Sequence, residues 1–118
     1  VNPPPRRYFA GAMVTRRTIR EYARQVGRQF RARRVILFGS YVRGKPTKDS
    51  DVDLLVVMPH KGRGAEQATE IRLKFRAPFP MDLLVRSPQK IRQRLAMGDV
   101  FIKEIMENGE VLYEARHG

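Results

Sequence analysis

The tightest constraint on this chain lies in residues 35–58. Two short apolar runs, Val35-Ile36-Leu37-Phe38 and Val52-Asp53-Leu54-Leu55-Val56-Val57-Met58, flank a polar stretch that begins Gly39-Ser40. Both runs are of strand length, rich in β-branched residues and stopped by Gly39 or Pro59, so they read as buried strands. The second run contradicts itself at its start. Asp51 and Asp53 are two residues apart, and alternate residues of a strand share a face. Two carboxylates side by side at the mouth of a buried strand repel each other, and burial makes each more costly to ionise.

The surrounding chain supplies a small frame. Residues 1–14, with Pro3, Pro4 and Pro5 and two arginines, read as a flexible Pro/Arg-rich tail, with Met13 as an alternative start; residues 15–118 read as one domain. Ile19, Tyr22, Ala23, Val26 and Phe30 form one apolar helical stripe. Thr18-Ile19-Arg20-Glu21 fits a capping box at its start, and Thr15 is a rival cap. A helix is expected over 65–76, a third strand over 81–85, a helix started by Ser87-Pro88, a second short helix carrying Phe101, Ile102, Ile105 and Met106, and an edge strand at 111–113. That order gives an α/β (α+β) fold, a small mixed sheet with helices mainly on one face.

Composition narrows the chemistry. The 118 residues hold 24 Lys and Arg against 12 Asp and Glu, for a net charge of +12, and no cysteine. Disulfides and thiolate zinc sites are excluded. No apolar run approaches a membrane span, and no secretory h-region is evident, so a cytoplasmic protein is expected. The positive field suits anionic partners such as nucleotides or nucleic acid. Against it, Asp49, Asp51 and Asp53 crowd one segment. Local acid in a basic chain is what a cation holding a polyphosphate requires.

Three groups then assemble on paper. Asp51 and Asp53 offer oxygen donors to Mg²⁺, which keeps waters and takes substrate phosphates as further ligands. Asp82, on the third strand, closes the site from the side, and three acids suffice for two ions. Gly39 lets the backbone approach a phosphate, Ser40 adds a hydroxyl, and Arg43 lies one turn on. Each feature alone has an ordinary structural reading: a turn, a hairpin mouth, a paired acid, a solvated arginine. Tyr41 and Tyr113 read as packing residues, and the loop around Lys61 and Arg63 as a solvated one with phosphate contact as the alternative.

The pattern Gly39-Ser40-x10-Asp51-x-Asp53 resembles the signature of the polymerase β-type nucleotidyltransferase superfamily. "ILFGSYVRGKPTKDSDVDLLVV" is similar to its minimal nucleotidyltransferases, and the likeness extends to "MDLLVRSP" and "FIKEIMENGEVLYE". The resemblance implies a nucleotidyltransferase palm and transfer of a nucleoside monophosphate, AMP from ATP, to a hydroxyl. It implies triphosphate contact at Gly39 and Ser40, metal binding at Asp51 and Asp53, and at Asp82 a third ligand that also helps deprotonate the acceptor. It further implies an antitoxin whose partner is a helical HEPN-type toxin, modified on a tyrosine. Little chain remains to build a second substrate domain, so recognition is expected from the acceptor or a partner. Two other readings stand beside it: transfer to a small molecule or RNA end, and a non-catalytic antitoxin that acts by binding. Nucleic acid is admitted as a partner but not favoured. Apolar residues near the C-terminal end, Phe101 and Ile105, offer a surface for a homo- or hetero-oligomer or ordinary core.

Overall fold

A computed structural model describes residues 14–116, so residues 1–13 of the expected tail lie outside the described residues. Val14 is already buried, and its amide donates to the Tyr41 hydroxyl at 3.4 Å.

Helix α1 spans Arg16–Gln29. Of the two rival caps, Thr15 is used: its hydroxyl accepts from the Thr18 amide at 3.2 Å. Thr18 therefore falls inside the first turn, where its hydroxyl meets that of Thr15, and Glu21 pairs with Arg17 rather than completing a capping box. The stripe does what its spacing predicts, since Ile19, Tyr22, Ala23 and Val26 are buried.

Strand β1 (Arg34–Phe38) runs into the four-residue helix α2 (Ser40–Arg43). The polar loop that follows is tied by its own side chains: the Ser50 hydroxyl accepts from the Thr47 amide at 2.8 Å, and the Thr47 carbonyl accepts from the Ser50 amide. Strand β2 (Val52–Val57) leads through helix α3 (Gly64–Lys74) to strand β3 (Met81–Arg86). Helices α4 (Pro88–Ala96) and α5 (Val100–Asn108) and strand β4 (Glu110–Glu114) complete the described chain. Ser87 caps α4 by accepting from the Lys90 amide, with Pro88 at the first helical position. Asp99 caps α5, accepting from the amides of Phe101 and Ile102.

The four strands form one mixed sheet in the order β3-β2-β1-β4. β1 is antiparallel to both its neighbours, and β2 and β3 are parallel. The parallel pair needs a crossover, which α3 supplies. Alternation in the strands splits the core in two. Val35, Leu37, Val52, Leu54, Val56, Leu83 and Val85 face the larger cluster with residues of α1, α2 and α3. Ile36, Leu55 and Val57 face a smaller one with Ile91, Ile102 and Ile105. The helices thus divide three and two between the faces, the majority on one face as expected. β1 and β2 are apolar at successive residues and so bury both faces.

Candidate active site

The register places the expected acids at one end of the sheet. Phe38, the last residue of β1, is opposite Asp53, and Asp53 is opposite Asp82. Asp53 thus stands in the central strand between the Gly39 turn and Asp82, while Asp51 stands just before β2, whose first amide, Val52, donates to the Pro80 carbonyl at 2.9 Å. Strand alternation puts Asp51, Asp53 and Asp82 on the sheet face that also carries Phe38 and Leu84.

Gly39 and Asp53 touch. Gly39 has φ +82° and ψ −150°, a conformation open essentially to glycine alone. A Cβ added there would lie 2.1 Å from Asp53 Oδ2. The glycine therefore serves a close approach of carboxylate to backbone as well as a turn. Its carbonyl accepts from the amides of Val42 and Arg43 at 3.0 and 3.1 Å, which fixes α2 directly behind it. The buried Tyr41 ring anchors that helix, and its carbonyl accepts from Arg16 Nη1 at 3.2 Å.

Asp53 is the electrostatic centre of the cluster. Its pKa is raised above the ordinary 3.8, first by burial, then by the charges of Asp82 and Asp51, while Arg43 pulls it down. The same four residues selected by spacing are therefore within each other's field. Asp51, Asp82 and Arg43 are exposed, whereas Gly39, Ser40 and Asp53 are half-buried.

The donor set can be tested against a divalent ion. Among the described residues, no three Asp, Glu, His or Cys side chains stand close enough together to hold a metal as they are. Three carboxylates on one face nevertheless fit Mg²⁺ by donor chemistry, and the excess negative charge that disfavours an ionised Asp53 is what a cation would offset. Asp51 and Asp82, being exposed, have the rotamer freedom to turn toward Asp53.

The sequence pattern from residue 19 to residue 112, well over half of the chain, matches the family described as nucleotidyltransferase domain. The chain belongs to that family. It is a nucleotidyltransferase with the family's mixed α/β fold. A provisionally named protein adenylyltransferase of Methanocaldococcus jannaschii is 29% identical over 104 residues, which cover 86% of this chain and all of the relative. A crystal structure of a provisionally assigned nucleotidyltransferase from Sulfolobus solfataricus superimposes with a TM-score of 0.58 at 19% identity, covering 86% of this chain and 82% of that one. A toxin–antitoxin complex with AMP-PNP is similar at a TM-score of 0.46 and 18% identity, over 83% of this chain and 75% of that one, a likeness too slight to bear on function.

Of the side chains outside the nucleotidyltransferase constellation, Tyr41 and Tyr113 are packing residues as expected: Tyr41 is buried, and the Tyr113 ring lies against Gly27. Ile105 is core, whereas Phe101 is half-exposed. Sequence reasoning passes over Arg86, Lys90 and Arg94, which line a common cleft with Arg63. Lys90 and Arg94, four residues apart, share one side of α4, and Arg86 joins them from the end of β3.

Proposed function

We propose that this chain transfers AMP from ATP to a hydroxyl on a protein partner, a tyrosine of a HEPN-type helical toxin, and thereby acts as its antitoxin. The observation that carries the transfer site is the convergence of Gly39, Asp53 and Asp82 in one register, with Asp53 against the Gly39 backbone. The protein acceptor is supported by the provisional name of the archaeal relative, a protein adenylyltransferase aligned over its whole length. The toxin and the tyrosine are supported by the resemblance of residues 36–57 to minimal nucleotidyltransferases.

In this reading Gly39 and Ser40 contact the triphosphate, the glycine because no side chain intervenes and the serine through its hydroxyl. Arg43, at the end of α2, offers a positive charge to the same phosphates. Asp51, Asp53 and Asp82 hold Mg²⁺, which when bound neutralises phosphate charge and lowers the pKa of the attacking hydroxyl. The acceptor oxygen forms a bond to the α-phosphorus, the bond from that phosphorus to the bridging oxygen breaks, and pyrophosphate leaves. Asp82, exposed at the edge strand, accepts the hydroxyl proton. Being exposed there, it is reachable by an acceptor as large as another protein.

The test is incubation of the full chain with ATP labelled at the α-phosphate, Mg²⁺ and a HEPN-type partner. Label is expected on a partner tyrosine and is expected to vanish with Asp53→Ala. Unchanged labelling by that variant would overturn the site. Label on RNA or on a small hydroxylated molecule instead would overturn the protein acceptor, and full neutralisation of the partner by Asp53→Ala in cells would overturn catalysis as the means of neutralisation.

A further inference from the structure

At the opposite end of β3 from Asp82 lies a cleft of about 910 Å³. Its walls come from the loop before α3, the end of β3 and the start of α4, with α5 closing one side. Four of its lining residues carry a positive charge, Arg63, Arg86, Lys90 and Arg94, and His60 lines it beside them. Asp99 is the one acid of the lining, and it is already committed. It accepts from the Phe101 and Ile102 amides and from Arg94 Nε at 2.8 Å. Arg63 has only a surface approach to Glu66 at 3.7 Å, and Arg86 donates through Nη1 to the Val85 carbonyl, leaving the rest of its guanidinium to the cleft. The excess of cations over acids in a concave wall raises the local concentration of anions.

Two further features choose among anions. Gly62 and Gly64 flank Arg63, and a Cβ on Gly64 would lie 2.3 Å from the Val85 carbonyl, so the loop backbone is packed against β3 and forms part of the wall. Arginine side chains in such a wall match the several oxygens of a phosphodiester better than a single carboxylate does. Phe101 also lines the cleft, is 50% exposed, and is held edge-on by Phe38 at a centroid distance of 5.8 Å. A fixed aromatic ring beside a cationic groove is the pairing that binds unpaired bases together with their backbone. Four residues of strand separate Asp82 from Arg86, about 13 Å at the usual rise. A phosphate against Arg86 is therefore not one held at Gly39 and Ser40, while the Phe101 wall of the cleft reaches Phe38, the neighbour of Gly39.

We propose that this cleft is a binding site for single-stranded nucleic acid, with Arg63, Arg86 and Lys90 on backbone phosphates and Phe101 against a base. The site is independent of the acceptor chosen at Asp82: it adds a ligand to the protein and leaves the transfer chemistry where it is.

The experiment is fluorescence anisotropy of a short labelled oligoribonucleotide with the full chain, titrated at several salt concentrations. The unmodified protein binds, and the logarithm of its affinity falls linearly with the logarithm of salt. The double variant Arg86→Gln, Lys90→Gln binds at least tenfold more weakly, and its salt slope is smaller by about 1.4, the share of two single-strand phosphate contacts. Phe101→Ala loses at least fivefold with an unchanged slope, as a stacking contact would. Circular dichroism melts of the three proteins check that each is folded. Asp53→Asn, which blocks transfer, keeps full oligonucleotide affinity. Equal affinity and slope in the double variant would mean that the net charge of +12 alone attracts RNA, and would overturn the site. So would absence of binding at low salt, or an acidic peptide or ATP displacing the oligonucleotide at its own concentration.

Discussion

At Gly39 the backbone, the turn and the chemistry meet in one residue. Its dihedrals lie in a region that only glycine enters without strain, and Asp53 Oδ2 occupies the space a side chain would need. Gly44 provides the control: it also has positive φ, at +80°, but a Cβ there meets nothing within 4 Å. Gly44→Ala is expected to cost about 1–2 kcal/mol, the strain of a left-handed residue alone, and to leave transfer intact. Gly39→Ala carries its own backbone strain of about 1–3 kcal/mol and must also displace the carboxylate. Urea midpoints and transfer rates of both variants decide the matter; equal effects on activity would mean that the contact with Asp53 is not functional. Asp53 makes a complementary prediction. Its native carboxyl holds a proton more tightly than the unfolded chain does, so stability falls as pH rises from the ordinary 3.8 through the raised value. Asp53→Asn abolishes that fall. It is therefore expected to melt higher than the unmodified protein at pH 7 without metal, while losing transfer. A variant that melts lower would show that the acid cluster stabilises the fold by itself.

The elements show what patterning alone determines. α1 was legible because its apolar stripe has one period, and its start was ambiguous because two threonines three residues apart both satisfy a capping rule; only the bond from the Thr18 amide to Thr15 separates them. β1 and β2 were legible as buried runs, but a run apolar at every position does not say which helices cover which face. The Gly-Ser turn and the two acids were legible through spacing, whereas the approach of Asp82 depends on the parallel register of β2 and β3, a long-range fact. The cleft at α4 was not legible because its walls come from three separated segments. One contact tests how α1 is held. Tyr22 is buried, stacks edge-on with Phe79, and donates from its hydroxyl to the Phe75 carbonyl at 2.7 Å, just past the end of α3. Tyr22→Phe is expected to cost about 0.5–1.5 kcal/mol at neutral pH, read from urea midpoints. Burial pushes the phenol up from 10.0 to about 12. The raised value means that its contribution is complete below pH 10 and is lost as pH rises from 10 to about 12. The phenylalanine variant lacks that alkaline loss, so parallel pH profiles of the two proteins above pH 10 would remove Tyr22 as its source.

For the whole molecule, the distribution of charge sets two different responses to salt. With 24 basic residues against 12 acids, the folded chain repels itself, and screening by a monovalent salt relieves that repulsion wherever it arises. The surface ion pairs oppose this only weakly: Arg34–Glu114 at 3.1 Å and the exposed Arg17–Glu21 pair are each worth at most about 1 kcal/mol and are themselves screened. The concentration of negative charge at Asp51, Asp53 and Asp82 responds the opposite way under the proposed function, to a cation bound in place. Sodium chloride is therefore expected to raise the melting temperature gradually over hundreds of millimolar, in the unmodified protein and in Asp53→Asn alike. Mg²⁺ at low millimolar, in constant background salt, raises it further in the unmodified protein only, because a ligand that binds the native state stabilises by mass action. Differential scanning calorimetry of both proteins in both salts separates the effects. A magnesium response that survives in Asp53→Asn would place the ion elsewhere on the molecule. A sodium response confined to the unmodified protein would trace the repulsion to the acid cluster rather than to the basic surface around it.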